Sequence, residues 1–408
     1  MSQEQWKRLD VVRRWERGDL TGREAAQVVG LSERQMRRIR RAVEKLGDAG
    51  VVHGNTGRAP KHRISDETRE QMIELARKKY VGFNDHHLTE KLVEVEKLSV
   101  SRRSVQRILR AAGVGAVRKH RPARHRRRRE RKAAEGMMAL WDGSPHDWLE
   151  GRGPRLCLMG TVDDATGDLL PGAHFIEQES TAGYLGLLKG MVEEKGIPLS
   201  IYMDKHSALR RNDDHWTLEE ELAGEQDLTQ VGRALRELGV EIIYANSPQA
   251  KGRVERRWQL DQDRLCSELR LAGAKDAEQA NVVLERYRLE SNRRFSVPAR
   301  EKVAVWRRLP KGLDIDRVCS FRYEARVDND NTVSLGGRVF QIPPGPGKRG
   351  YPKARVEVHQ LLDGSWRLYF KGSLIATAPA TEVAELRALP RRRRPAASRA
   401  FRKAVKAA

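Results

Sequence analysis

At 408 residues, with 39% hydrophobic and 33% charged side chains, the chain is long enough for two or more domains with cores of their own. Its 79 Lys and Arg against 56 Asp and Glu leave a net charge of +23, a field that calls for a polyanionic partner, nucleic acid before an acidic membrane surface. Three scattered cysteines (Cys157, Cys266, Cys319) exclude a disulfide framework and a thiolate zinc site; with no apolar run near the ~18 residues of a membrane helix and no signal-peptide pattern, the expected setting is a reducing cytoplasm.

Residues 1–47 read as three helices. Gln5–Arg17 is amphipathic, with Trp6, Leu9, Val12 and Trp15 along one side. Thr21–Val29 follows, then a Gly30-Leu31 turn, then a third helix capped by Ser32. Two short helices across a glycine turn predict a helix-turn-helix reader, its second helix presenting Arg34, Gln35, Arg37, Arg38 and Arg41 to DNA. Residues 48–65, with Gly50, Gly54, Gly57 and Pro60, are expected to be a linker. A second unit of the same kind spans 66–114, and its last helix opens Ser101-Arg102-Arg103-Ser104-Val105-Gln106-Arg107. Arg102, Arg103, Gln106 and Arg107 are its candidate DNA contacts. The adjacent His86 and His87 point to different helix faces, a poor metal pair and more simply polar surface or a satisfied contact.

Residues 115–135 form a basic arm, with ten Lys or Arg in the fifteen residues Arg118–Lys132. Arg126, Arg127, Arg128 and Arg129 stand in unbroken succession, suited to lie along phosphates without choosing sequence. From Gly136 to about residue 300 the pattern becomes mixed α/β. Apolar runs at Met137–Leu140 and Leu156–Val162, an Asp163–Asp168 turn and Leu169–Ile176 predict strands joined by a hairpin. Helix Thr181–Glu194, strand Leu199–Met203, helix Thr229–Leu238, strand Glu241–Tyr244 and a long helix Gly252–Leu271 complete the order βββ-α-β-α-β-α. Ala208–Leu228 reads as a polar insertion. Residues 301–385 show only short strands (Val318–Val327, Thr332–Val339, Ala354–Gln360, Ser365–Tyr369, Ser373–Ala378), a small barrel or sandwich. Residues 386–408 are a basic, Ala-rich tail.

Three acids stand out by position. Asp142 and Asp204 each end an apolar run, and Glu255 lies in the first turn of the long helix, after the loop Ser247-Pro248-Gln249-Ala250-Lys251-Gly252. Phosphodiester cleavage needs an activated nucleophile and neutralised phosphate charge, which two Mg²⁺ ions held by a few carboxylates supply. Other acids compete for the role. Asp163 and Asp164 lie close to the first strand, but an Asp-Asp-Ala-Thr-Gly turn needs Asp for its own backbone bonds. Asp147, Glu150, Asp213 and Asp214 read as surface or structural. His206 could assist near the metals or simply support Asp204. Trp141 and Trp148 read as core.

In these residues the chain resembles a known family. Leu140–Ser144 (LWDGS), Thr161–Gly167 (TVDDATG), Tyr202-Met203-Asp204 and Ser247–Glu255 (SPQAKGRVE) are similar, in order, to the integrase catalytic core of DDE transposases and retroviral integrases, over about Gly136–Leu271. Trp141–Trp148 (WDGSPHDW) with Asp204-Lys205-His206-Ser207 looks closest to the insertion-sequence group labelled ISNCY. The resemblance implies a multidomain fold: N-terminal all-α helix-turn-helix units, a central α/β RNase H-like mixed sheet and a small all-β C-terminal domain. It implies Asp142, Asp204 and Glu255 as catalytic and metal-holding residues, with two Mg²⁺ ions for which Mn²⁺ substitutes. The implied partners are double-stranded DNA (the element's terminal inverted repeats and target DNA) and further copies of the chain on that DNA, in a bacterial nucleoid. The implied reaction is hydrolytic nicking at the element's ends and attack of the freed 3′-hydroxyl on target DNA. Fifty residues lie between Asp204 and Glu255, more than in many relatives. Gln259 and Gln262 stand where relatives often carry cations, so Lys251, Arg253 and Arg256 are expected to contact DNA instead, with Arg257 as a further candidate. The competing readings are a DNA-binding regulator derived from a transposase and a nuclease acting on RNA–DNA hybrids.

Overall fold

The computed structural model describes residues 1–57, 63–115, 129–204, 206, 208–209, 221, 226–245 and 252–386. It divides into two compact units, Met1–Gln71 and Met72–Ala408. Among the described residues no helix is long and apolar enough to cross a membrane.

The first unit is built on α1 (Gln3–Glu16), α2 (Gly22–Val29) and α3 (Glu33–Leu46). Each opens on a reciprocal cap: Ser2 with Gln5, Thr21 with Glu24, Ser32 with Gln35. Leu9, Val11, Val12, Ala25, Ala26, Met36 and Val43 close its core. Trp6, expected on the buried side of α1, is 57% exposed, and Val11 takes the inward place. Trp15 instead lies under Arg40, whose guanidinium carbon stands 4.7 Å from the ring centre.

The second unit starts with a helical cluster. α4 (Asp66–Lys78) runs across the division, and α5 (Asp85–Glu94) and α6 (Arg102–Ala111) follow, closed by Met72, Tyr80, Leu88, Leu92, Val105, Ile108 and Leu109. The cluster docks through charge on two long helices, α9 (Gly252–Ala272) and α10 (Ala277–Phe295). Arg264 clamps Glu90 bidentately at 2.7 and 3.0 Å, with Arg294 at 3.0 Å from the same carboxylate. Burial pushes Glu90 up, but the two guanidiniums outweigh it and hold its carboxyl below the usual range. His87 is buried with Nε2 2.6 Å from Glu268, whereas His86 is exposed and turns to Glu90 on its own helix.

The mixed sheet has strands β1 (Ala139–His146), β2 (Leu156–Asp163), β3 (His174–Ile176), β4 (Ser200–Met203) and β5 (Glu241–Tyr244) in the order β3-β2-β1-β4-β5. β1, β2 and β3 pair antiparallel; β1–β4 and β4–β5 are parallel. β3 is shorter than the expected Leu169–Ile176, because Pro171-Gly172 breaks the return after a single bridge at Val162–Leu169. Alternation then assigns the faces. Ala139, Trp141, Met159, Ile201 and Met203 pack on one side against α7 (Thr181–Glu194) and α8 (Gln230–Glu237). Leu140, Leu158, Phe175 and Tyr202 pack on the other against α9 and α10. The helix α10 was missing from the expected order.

A separate four-stranded antiparallel sheet, β11-β10-β9-β6, follows the short helix α11 (Ile315–Val318). Its strands are β6 (Phe321–Arg326), β9 (Arg355–Gln360), β10 (Trp366–Phe370) and β11 (Ser373–Ala378). The run Thr332–Val339, expected as one strand, folds at Gly336-Gly337 into the hairpin β7 (Thr332–Leu335) and β8 (Arg338–Gln341), both glycines having positive φ. Inside this region His359 is fully buried, 3.0 Å from Ser320 Oγ and 3.1 Å from Glu357. Burial pushes its pKa down to about 4 despite Glu357. The unfolded chain protonates the same ring near ~6.5, so stability should be lost as pH falls from there to about 4, by up to about 3 kcal/mol. Urea midpoints across that range should fall less in His359→Gln than in the parent chain; equal falls would contradict this assignment.

Candidate active site

The ladder between β1 and β4 ends at Leu140–Tyr202, while β1 continues beside β2 to His146. Past that point the β4 side of β1 is open. Asp142 and Asp204 each lie two residues beyond that last pair, and both carboxylates bear on the same Tyr184 phenol. Both follow, two residues on, side chains that face α9 (Leu140 and Tyr202). The carboxyl ends of parallel strands are the usual place for a ligand in an α/β sheet. Asp142 is fixed from above: the Trp258 indole donates to its Oδ2 at 2.9 Å. That contact depends on Gly160, the β2 partner of Asp142, because a Cβ there would lie 2.3 Å from the Trp258 ring. Asp204 accepts the backbone N–H of His206 at 3.0 Å.

Glu255 is exposed in the first turn of α9, one turn before Trp258. The helix start favours negative charge there. The approach through Lys251 lies outside the described residues. The same helix carries Gln262, which donates to Ser144 on β1 at 3.2 Å, and exposed Gln259. What holds α9 in place is a buried polar cluster. Asp261 is fully buried, binds Arg257 at 2.8 Å and accepts the Tyr287 hydroxyl of α10 at 2.8 Å. Arg257 also reaches Ser291 and Asn292 of α10 and the Gly167 carbonyl. Burial pushes the Asp261 carboxyl up, against the pull of Arg257.

Asp163 and Asp164 work as turn acids. Asp163 is buried and takes the Ala165, Thr166 and Gly136 N–H groups. Asp164, also buried, binds Arg129 at 2.6 Å, the Lys132 N–H at 2.8 Å and the Arg253 guanidinium. Arg131 donates to the Asp164 and Ala165 carbonyls. The end of the basic arm is thereby tied to the first turn of α9, at Arg253, two residues before Glu255. Of the candidate DNA contacts, Arg129 and Arg253 therefore already serve a carboxylate, Arg256 is exposed, and Arg257 is buried. Arg126, Arg127, Arg128 and Lys251 lie outside the described residues. Arg34, Gln35, Arg37, Arg38 and Arg41 are exposed on α3, with Arg37 also paired to Glu33. Arg102, Arg103, Gln106 and Arg107 are exposed on α6, opposite its buried Val105, Ile108 and Leu109. Trp141 and Trp148 are core.

Behind the aspartates, on the α7 side, Glu179 accepts the Tyr184 hydroxyl and lies 3.6 Å from His206. Burial and then Glu179 push the Tyr184 phenol far above its ordinary value. Sequence reading missed Trp258, Glu179 and Asp164 as site supports. The one signal for Trp258 was a glycine, Gly160, inside an otherwise apolar strand.

Among the described residues no three His, Cys, Asp or Glu side chains are gathered as a ready metal cluster. Asp142 and Asp204, just past the end of the β1–β4 ladder, offer oxygen donors, the kind that fits a hard divalent cation.

No family model matches the chain. Among curated proteins, it is 35% identical over 375 residues to a Sinorhizobium fredii protein named transposase y4bF, a match covering 91% of this chain and 80% of that one. It is 28% identical over 397 residues to the transposase for insertion sequence IS1202 of Streptococcus pneumoniae, covering 88% of this chain and 82% of that one. Among solved structures, a chain of the simian T-cell lymphotropic virus intasome aligns at 13% identity and a TM-score of 0.30, over 78% of this chain and all of the other, too loose to define a shared fold. The chain belongs to the insertion-sequence transposases. Such proteins cut and join DNA.

Proposed function

We propose that this transposase binds the ends of its own insertion sequence, nicks them by metal-assisted hydrolysis and joins the freed 3′-hydroxyls to target DNA. The observation that supports the reading is that Asp142 and Asp204 both follow the last pair of the β1–β4 ladder, with Asp142 bound by Trp258 of the helix whose first turn carries Glu255. On this reading the sheet and its helices are an RNase H-like core of the DDE type. Asp142 and Asp204 would hold Mg²⁺ and Glu255 would complete the set. Bound there, divalent ions lower the pKa of a water nucleophile and neutralise charge on the attacked phosphate. The protein's share is positional. Trp258 fixes the Asp142 carboxylate, the His206 amide fixes that of Asp204, and the Asp261–Arg257 cluster keeps α9 over the sheet. Purified full-length chain, given a duplex carrying one element end and Mg²⁺, should nick it; cleavage unchanged in Glu255→Ala would overturn the role of Glu255.

α3 and α6 serve as helix-turn-helix readers. Their exposed cations support this, since each apolar face is buried and each basic face is left to solvent. Arg102→Ala, Arg103→Ala and Arg107→Ala together should weaken binding to element ends and reduce the slope of log affinity against log salt by roughly 2 to 3, about 0.9 per phosphate contact. An unchanged slope would remove α6 from the DNA interface.

A second reading, a DNA-binding regulator without cutting activity, draws on the exposed cations of α3 and α6, which would serve it equally. Tight binding of the ends with no strand cleavage in Mg²⁺ or Mn²⁺ would select it.

A further inference from the structure

A fourth carboxylate touches the surroundings of both aspartates. Glu179 immediately precedes Ser180, the N-cap of α7. Its Oε2 lies 2.7 Å from where a Cβ on Gly143 would stand, so it rests against the bare backbone of the β1 residue next to Asp142. Its other oxygen accepts the Tyr184 hydroxyl and lies 3.6 Å from His206 Nδ1. The His206 backbone N–H in turn donates to Asp204 Oδ1 at 3.0 Å. Tyr184 stacks on Trp141, the residue on the other side of Asp142, with ring centres 5.6 Å apart.

We propose that Glu179 is a positioning residue for the metal-holding pair: it braces β1 on both sides of Asp142, directly against Gly143 and through the Tyr184 ring stacked on Trp141. The proposal rests on the reading of Asp142 and Asp204 as metal-holding residues. Carboxylates that ligate a metal depend on the groups that orient them, and loss of such a support costs about 10- to 100-fold in metal affinity. Glu179 as mere partner of a buried phenol would instead cost only stability.

The test is Mn²⁺ binding to the full-length chain, followed by the electron spin resonance of free Mn²⁺, with thermal unfolding recorded for every variant. Glu179→Ala should weaken Mn²⁺ binding about tenfold. Glu179→Asp, too short to reach Gly143, should weaken it in the same direction and carries the test where the alanine variant does not fold, whereas Glu179→Gln, which keeps the shape and the acceptor for Tyr184, should stay close to the parent. Tyr184→Phe should lower the unfolding temperature with Mn²⁺ affinity close to that of the parent. Asp204→Ala should lose the site. Parent affinity in Glu179→Ala and Glu179→Asp, alongside loss in Asp204→Ala, overturns the positioning role alone. Parent affinity in Asp204→Ala overturns the metal-holding reading, and the role of Glu179 with it.

Discussion

Asp204→Ala is expected to lower single-turnover nicking of an element-end duplex roughly a thousandfold, with binding of the duplex nearly unchanged. The carboxylate stands just past the end of β4, and its oxygen is held by the His206 amide. Metal-borne charge stabilisation is worth several kcal/mol in a phosphoryl transition state, and about 4 kcal/mol converts to three orders of magnitude. Binding should survive because the exposed cations of α3 and α6 lie on other elements, and alanine removes a negative charge rather than a contact to DNA. Gel-resolved cleavage with a parallel binding titration separates the two effects. A fall in both by the same factor would mean that the variant has misfolded or that Asp204 serves DNA binding; a loss of less than about tenfold in cleavage alone would remove it from the chemistry.

Asp261→Ala should be the most damaging single change to the fold, about 3–5 kcal/mol, because it strands a buried guanidinium. Arg257 and Asp261 are both buried, a turn apart on α9, and Tyr287 of α10 gives its hydroxyl to the same carboxylate. With the acid gone, Arg257 keeps only neutral partners: Ser291, Asn292 and a carbonyl. Denaturant unfolding measures the loss. Replacing both ends by apolar residues, Arg257→Met with Asp261→Leu, should recover a good part of it, since no charge is then left buried. A single-variant loss under about 1 kcal/mol would show that Arg257 finds solvent. Nicking should drop with the folded fraction, because this cluster sets the seat of α9 and so of Glu255.

Much of the sheet was legible in the sequence. Compact apolar runs and the Asp163–Asp168 turn mark β1, β2 and β4, and their order in the chain is the order observed. The carboxylates stood out because each ended such a run or opened a helix. What the sequence hid were contacts that only topology makes. Trp258 reaches Asp142 because antiparallel register puts Gly160 opposite it, and nothing near residue 258 announces that. Asp164 reads as a turn residue, yet it ties Arg253 and Arg129 from segments 89 and 35 residues away. Glu179 looks like a loop acid until the strand beside Asp142 proves to be glycine at the point of contact. Trp6 shows the reverse error: a large apolar side chain at helical spacing was assigned inward, and the three-helix cluster closed without it.

The central claim, that this site cuts DNA at the element's ends, meets its most direct test in one experiment. The full-length chain is incubated with a duplex carrying an element end joined to flanking DNA, in Mg²⁺, and both strands are resolved at single-nucleotide length. A nick that leaves a 3′-hydroxyl at the junction, and that disappears with chelator and in Asp142→Asn, is the predicted result. A duplex bound by the protein yet intact on both strands in Mg²⁺ and in Mn²⁺ would contradict it.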